Sequence, residues 1–336
     1  MNRPTLRALL ALACCCALFA ACGNSEEPDA TAASTLEQTV AATSKIDNGR
    51  LSASIGLQPE GMLALAGAIT LRAAGPFASP AAGELPRLRL ALAASLAGQS
   101  IDATASSTGK RGFLRLGGRD YELDDEFLDA LREELAGKQG GGFALLGLDP
   151  TAWIKDPRNR GEAKVGGEDT IRIAGQIDVE RLLADLAELL DGGSNGDGLL
   201  TPKLRRQIAA AVTSAKVDVW SGAQDKVLRQ LAVVIDFAFD KGSSPIDGLD
   251  GGRVKLRLRL DDVGTTTFEV LAPQRPRPLS QLAGDGGLAA LLGGLGAALP
   301  GGREGAGDGG AAFLRCVTAA AGDAAAVARC ASKLAP

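Results

Sequence analysis

The feature that most restricts the fold of this 336-residue chain is a repeated alternation of apolar and polar side chains. It is clearest in GRVKLRLRLDDV (residues 252–263), where Val254, Leu256, Leu258 and Leu260 alternate with Lys255, Arg257 and Arg259. Successive side chains of a β-strand point to opposite faces of its sheet. This period therefore predicts a strand that is apolar on one face and polar on the other.

The same period recurs along most of the chain. In the first half the alternating apolar residues are Leu51, Ala53, Ile55 and Leu57; then Leu63, Leu65, Ile69 and Leu71; then Leu88, Leu90, Leu92, Ala94 and Leu96. Shorter strands are predicted at 99–106, 112–123, 169–177, 216–222, 228–239 and 265–273, the last with Phe268 and Val270 inward. We expect about nine to eleven strands in an antiparallel meander.

Four segments have helical rather than strand periodicity. They are residues 34–46, with Ser34 as a cap and Leu36, Val40, Thr43 and Ile46 on one face, and residues 124–138, 179–190 and 202–215. Acidic residues at the start of 124–138 and Lys138 at its end favour a helix through the helix dipole. The predicted class is α+β, with one large sheet and several helices.

The first residues have the pattern of an export signal. Arg3 and Arg7 precede an apolar core that is too short to span a membrane, so residues 1–21 are predicted to be a signal peptide. The sequence FAAC (residues 19–22) is similar to the lipobox of bacterial lipoproteins, which predicts that Cys22 is diacylated and becomes the new N-terminus. An ordinary cleaved signal, with its cysteines as apolar filler, is the alternative.

The rest of the chain divides by composition. Residues 22–33 are predicted to be a polar tether, 34–273 the folded domain and 274–310 a linker rich in Gly, Ala and Pro, although LAALLGGLGAAL within it could instead dock on the domain. Residues 311–336 contain Cys316 and Cys330, which can form a disulfide only if the chain turns back at Gly322 and Asp323. We expect a disulfide-closed helical hairpin there.

Several function classes are excluded or disfavoured by the residues themselves. The chain has no histidine, which excludes histidine-based triads and histidine metal sites. Its net charge is -4 with interspersed signs, so no nucleic-acid partner is expected. DGGSNGDG (191–198) resembles the start of a calcium loop, but Gly193 and Pro202 replace two ligands, so an interhelix loop is favoured.

No catalytic residue is nominated by a motif. The acidic clusters at 124–126 and 133–134 are explained by solvated charge near a helix start and on its outer face. A glycosidase-like carboxylate pair stays open because such pairs meet only through the fold. We therefore predict a protein that is not an enzyme and needs no metal or cofactor.

The aliphatic character of the strands suggests what such a sheet could hold. A sheet this wide curls, and helices that cross its mouth can leave a cavity beneath them. Its candidate lining is Ala, Leu, Ile and Val with few aromatic residues, which suits acyl chains better than flat or polar ligands. Ordinary core packing is the alternative for each of these residues.

Several longer motifs resemble a known family. They are TLEQTVAATSKIDNGRLSASI (35–55), LLGLDPTAWIKDP (145–157), GEAKVGGEDTIRIAGQID (161–178) and VDVWSGAQDKVLRQLAVVIDF (217–237), and the most specific stretch runs from Gly166 to Gly175. Together with the lipobox they are similar to the LppX/LprG group of actinobacterial lipoproteins. The resemblance covers roughly residues 31–272 and leaves out the linker and the cysteine hairpin.

The resemblance implies a LolA-like half-barrel, in which a curved antiparallel sheet wraps around helices and encloses an apolar cavity. By matching position, the implied cavity lining is Ile55, Leu65, Leu90, Leu92, Ile173, Val233, Ile235, Leu256 and Leu258. The implied function is to bind or carry a lipid, such as an acylated glycolipid, at the extracytoplasmic side of the cell membrane. The alternative is an anchored sensor or envelope-assembly protein that uses the same fold without a ligand, and an envelope transporter or assembly partner is compatible with either.

Overall fold

The computed structural model describes residues 29–80, 84–96, 99–136, 150–191, 201–244 and 248–284. The predicted signal peptide, the Cys22 anchor, most of the interhelix loop at 191–198, most of the linker and the Cys316–Cys330 hairpin lie outside these residues. The predictions made for them remain predictions.

The described residues form twelve strands in one sheet. They are β1 (Asn48–Glu60), β2 (Ile69–Ala78), β3 (Arg87–Leu96), β4 (Gln99–Thr108), β5 (Gly112–Leu116), β6 (Arg119–Glu122), β7 (Ile154–Val165), β8 (Glu168–Ile177), β9 (Val212–Gly222), β10 (Leu228–Ala238), β11 (Gly251–Asp261) and β12 (Arg277–Pro278). The order across the sheet is β12-β6-β5-β4-β3-β2-β1-β11-β10-β9-β8-β7. Neighbouring strands are antiparallel except β12 and β6, which are parallel.

The helices lie before, within and after this sheet in sequence. They are α1 (Ala30–Thr43), α2 (Asp125–Ala136), α3 (Pro150–Trp153), α4 (Val179–Asp191), α5 (Pro202–Ala211) and α6 (Ser280–Gly284), with a 3-10 turn at Met62–Ala66. The prediction of an α+β fold with a single large, curved and unclosed antiparallel sheet is confirmed. The strand count is slightly higher than predicted.

Two details of the first half differ from the prediction. The segment 112–123 is two strands rather than one, because Gly117 and Gly118 have positive φ angles of 55° and 76° and form a tight turn between them. The prediction that Leu63 and Leu65 lie in a strand was wrong. They belong to the 3-10 turn, which glycines with positive φ bound on both sides, so β2 begins only at Ile69.

The second half differs at three places. The edge strand β7 was not predicted as a separate strand, because its bulges interrupt the alternation of side chains. The predicted helix 202–215 ends at Ala211, and residues 212–215 extend β9 because they pair with β10. The predicted strand 265–273 is absent from the described sheet, since β11 already has β1 and β10 on its two sides and offers no free edge.

Helix α1 begins earlier than predicted because its cap is Asp29 rather than Ser34. Asp29 Oδ1 accepts hydrogen bonds from the backbone N–H groups of Thr31 and Ala32 at 3.0 and 3.1 Å. Its other carboxylate oxygen accepts from the N–H of Asn159 in β7 at 3.0 Å. One side chain therefore starts the helix and attaches it to the sheet edge.

Helix α1 packs on the sheet through hydroxyl groups as well as apolar side chains. Its buried residues are Ala32, Thr35, Leu36, Thr39 and Thr43, so the threonine at 39, rather than Val40, lies at the centre of the contact. The hydroxyl oxygens of Thr39 and Ser221 are hydrogen-bonded at 2.7 Å, and Thr43 Oγ1 accepts from the Leu228 N–H at 3.0 Å. These directional contacts fix the position of α1 along β9 and β10.

Replacing Thr39 by valine tests this contact. The two side chains have nearly the same shape, but valine leaves the buried Ser221 hydroxyl without its partner, so we expect a loss of about 1–3 kcal/mol in the free energy of unfolding. Urea unfolding measures it. The double change Thr39→Val and Ser221→Ala should cost less than the sum of the two single changes, and strictly additive losses would contradict the coupling.

Asp29 provides a pH-dependent test. Hydrogen bonds from the Asn159 and Ala32 N–H groups hold the pKa of its carboxyl below the ordinary value. A lowered folded-state pKa means that the stabilisation is present above about pH 4 and is lost as the pH falls through that lower pKa. We expect Asp29→Ala to lower Tm at pH 7 and the difference from the wild type to shrink at acidic pH. Asp29→Asn keeps a capping oxygen but not the Asn159 contact, so its Tm at pH 7 should lie between those of the wild type and Asp29→Ala. A Tm difference between the wild type and Asp29→Ala that does not change with pH would contradict the role of the Asp29 carboxylate.

Candidate functional site

The strand register places the alternating apolar residues on one face of the sheet, which we call the apolar face. Ile55 of β1 lies opposite Leu256 of β11 on one side and Leu71 of β2 on the other. Leu256 in turn lies opposite Val233 of β10. This row of register partners spans four strands with apolar side chains only.

Eight of the nine predicted lining residues lie on the apolar face. They are Ile55, Leu90, Leu92, Ile173, Val233, Ile235, Leu256 and Leu258. Leu65 does not, because the 3-10 turn places it at the end of β1, where its side chain is 79% exposed. Whether the other eight line an occupied cavity stays a prediction.

One half of the apolar face is covered. Helix α1 packs against β7, β9 and β10. The buried cluster beneath and beside it contains Leu36, Trp153, Ile154, Ile173, Val217, Val219, Leu231, Val233 and Leu260. This half is an ordinary hydrophobic core, so Ile173 and Val233 serve packing in the structure described.

Exposure increases along the row as it crosses from β10 to β2. Val233 is 6% exposed and Leu256 is half-buried, whereas Ile55 is 44% and Leu71 51% exposed. The half-buried apolar neighbours are Leu57, Ile69 and Leu92. We call this group, Ile55, Leu57, Ile69, Leu71, Leu92 and Leu256, the open apolar surface.

The open apolar surface contains no ionisable side chain. On β4, β3, β2, β1 and β11, no position of the apolar face holds a charged residue. Its contacts with a bound molecule would be dispersion and water exclusion. Met62, 65% exposed, lies with Leu65 in the 3-10 turn that follows β1 and adds apolar area at that end.

Charged residues concentrate on the opposite face, which we call the polar face, and at the strand ends. Arg253 pairs with Asp236, and Arg172 pairs with Asp218 at 2.9 Å. A hydrogen bond from Arg111 lowers the pKa of Glu122, and one from Lys155, at 2.8 Å, lowers the pKa of Asp178. These carboxylates are kept ionised by their partners, which suits structural ion pairs rather than proton donors.

The described residues form neither a metal centre nor a membrane-spanning helix. No group of three or more Cys, Asp or Glu side chains in the described ranges is placed to hold a metal ion. No helix among the same residues has the length and apolarity to cross a membrane.

A groove of about 530 Å³ lies at the C-terminal end of α1. Its walls include Ala42, Lys45, Ile46, Val227 and Val263. None of these was predicted from the sequence to be a site residue. It is separate from the open apolar surface, and its lining mixes apolar groups with Lys45, Asp47, Asp225 and Lys226.

Sequence reasoning missed the importance of Leu71. The alternation ITL identified it as a strand residue facing the same side as Ile69, but its exposure depends on where α1 stops along the sheet. The local sequence around Leu71 does not indicate this exposure, because it depends on which distant strands α1 packs against, and these are β7, β9 and β10.

Among known proteins, similarity to this chain is found in solved structures. No protein-family model matches the chain, and no curated protein matches it. Among solved structures, the chain is similar to the Mycobacterium tuberculosis lipoprotein LppX, at 13% identity and a TM-score of 0.39, over 72% of this chain and 100% of that one. LprF from Mycobacterium bovis is similar at 12% identity and a TM-score of 0.40, over 73% and 98%. A domain described as an outer membrane lipoprotein-sorting protein from Vibrio parahaemolyticus is similar at 10% identity and a TM-score of 0.21, over 70% and 94%.

The difference between the two halves of the apolar face can be measured by matched truncations. Leu260→Ala on β11 empties a buried site and should cost about 2–5 kcal/mol of unfolding free energy. Leu71→Ala removes a side chain that is half exposed and should cost about 1 kcal/mol or less. Denaturant unfolding of both variants tests this, and equal losses would mean that the face around Leu71 is covered in solution.

Proposed function

We propose that this protein binds an acyl lipid, including the acyl chain of a glycolipid, on the open apolar surface and holds or carries it at the membrane. The observation that supports the proposal is the rise in exposure along a single row of register partners, from Val233 to Leu71. Because this row remains apolar beyond the strands that α1 covers, it leaves an exposed apolar surface to which a ligand can bind.

The energetics favour a long chain over a small ligand. Removal of one CH₂ group from water contributes about 0.8 kcal/mol, so a 16-carbon chain offers on the order of 10 kcal/mol before ordering costs. The surface lacks charged groups, so it would recognise length and apolarity rather than a headgroup. We therefore propose binding and transport rather than catalysis.

The anchor belongs to the same proposal. Acylation of Cys22 would hold the domain at the extracytoplasmic side of the cell membrane, with residues 23–28 between the anchor and the first described residue. The lipobox-like FAAC sequence supports it. The closure of the C-terminal hairpin by Cys316 and Cys330 remains a second proposal for the exported chain.

A protein-binding role is the second candidate function. It is favoured by Met62 and Leu65, whose exposed side chains protrude from the turn after β1. An envelope transporter or assembly partner could contact this turn. Such a role does not require a lipid on the open apolar surface, so the following experiment separates the two.

The experiment is native mass spectrometry of the mature chain purified from an actinobacterial host, followed by titration with a fluorescent fatty acid. We expect co-purified acyl lipid and saturable binding. The variant Ile55→Glu with Leu71→Glu should lose at least tenfold in affinity, because a bound chain would have to desolvate two carboxylates.

The matched control is Ser54→Glu with Thr70→Glu, which adds the same charge to the same two strands on the polar face. It should keep the affinity of the wild type. A wild-type chain that carries no lipid besides the Cys22 anchor and binds no fatty acid, or equal losses in both double variants, would contradict lipid binding at this surface.

A further inference from the structure

A second feature of the fold lies on the polar face, where β7, β8 and β9 run side by side. A polar cleft of about 560 Å³ opens there. Four basic side chains line it, Arg158, Arg160, Arg172 and Lys216, against two acidic ones, Asp156 and Asp218. The cleft therefore carries an excess of positive charge in a chain whose net charge is -4.

Irregular pairing of the edge strand shapes this cleft. Relative to β8, β7 contains one extra residue between Lys155 and Arg158 and another between Asn159 and Glu162. Asp156 has a positive φ of 49° at the first bulge. Bulges at a sheet edge bend the strand and redirect its side chains, and here they bring Arg158 and Arg160 to the same cleft.

The cations of the cleft differ in how firmly they are held. Arg172 donates to Asp218 at 2.9 Å and lies over the Trp220 ring, 5.4 Å from its centroid. Arg160 and Lys216 are exposed, and neither has a carboxylate partner within ion-pair distance among the described residues. These two charges are available to an anion from outside the chain.

The cleft also lies close to where the chain leaves for the membrane. Asn159, the residue between Arg158 and Arg160, donates its N–H to Asp29 at 3.0 Å. Cys22 precedes Asp29 by seven residues, which span at most about 25 Å when fully extended. An acylated Cys22 would therefore keep the bilayer surface within about 25 Å of the cleft.

We infer that this cleft binds the phosphate headgroup of an anionic phospholipid in the membrane that holds Cys22. The inference rests on the anchoring part of the proposed function but not on lipid binding at the open apolar surface. Cationic side chains near a bilayer surface are attracted by anionic lipids, and guanidinium groups match phosphate geometry. The acyl chains on Cys22 would hold the protein at the bilayer, and this cleft supplies a second contact, to the lipid headgroups.

The test uses the mature chain, residues 22–336, produced without acylation so that binding reports on the cleft alone. Vesicles of phosphatidylcholine are compared with vesicles that also contain about a third phosphatidylglycerol, by co-sedimentation and by tryptophan fluorescence. We expect at least tenfold tighter binding to the anionic vesicles, weakened by salt. Arg172, which lines the cleft, lies over the Trp220 ring, whereas Trp153 is buried, so the fluorescence change should disappear in Trp220→Phe.

The decisive variant is Arg160→Glu with Lys216→Glu, for which we expect a tenfold or greater loss of binding to anionic vesicles. The matched control is Arg87→Glu with Arg89→Glu on β3, which changes the net charge equally about five strand spacings, or ~24 Å, from β9. It should stay within about twofold of the wild type, and far-UV circular dichroism checks that both variants fold.

The inference would be overturned if the wild type showed no preference for anionic vesicles, or if both double variants lost vesicle binding equally. It would also be overturned if Trp220 fluorescence responded to inorganic phosphate without vesicle binding, which would indicate a site for a free anion. Fatty-acid binding and acyl labelling of Cys22, measured in parallel, separate a failure of the cleft from a failure of the proposed function. The cleft variant should retain both, whereas Ile55→Glu with Leu71→Glu should retain vesicle binding.

Discussion

The attachment of α1 to one half of the sheet is the interaction on which the rest of the structure depends. Asp29 caps the helix and joins it to β7, and Thr39 and Thr43 set its position against β9 and β10 through buried hydrogen bonds. Because these contacts are directional, α1 cannot slide toward the centre of the sheet to cover more apolar area. Ile55 and Leu71 lie on β1 and β2, beyond the strands that α1 packs against, and their side chains are exposed.

Much of this architecture could be predicted from the sequence because side-chain alternation is a local signal. The residues Val254 to Leu260 identified β11 and its apolar face, and the register confirms that face across the sheet. Positions that depend on tertiary pairing could not be predicted. Residues 212–215 have a helical pattern but join β9, because β10 offers them a partner, and residues 265–273 alternate but find no free strand beside them.

The two faces of the sheet have different chemistry, and each suits a different part of a lipid. The open apolar surface suits a hydrocarbon chain, and it was nominated in part by sequence through Ile55 and Leu256. The cationic cleft was not nominated, because its four basic residues come from three strands, and two of them are brought together by bulges that leave no pattern in the sequence. With an anchor at Cys22, both surfaces would lie on a domain held close to the bilayer.

The central claim is that an acyl chain lies along the open apolar surface, and photo-crosslinking tests it most directly. A fatty acid with a diazirine near the middle of its chain is bound to the mature protein, irradiated, and the labelled peptides are identified by mass spectrometry. We predict labels in peptides that contain Ile55, Leu71 and Leu256. Labels confined to the groove at the C-terminal end of α1, or to the polar face, would contradict the claim.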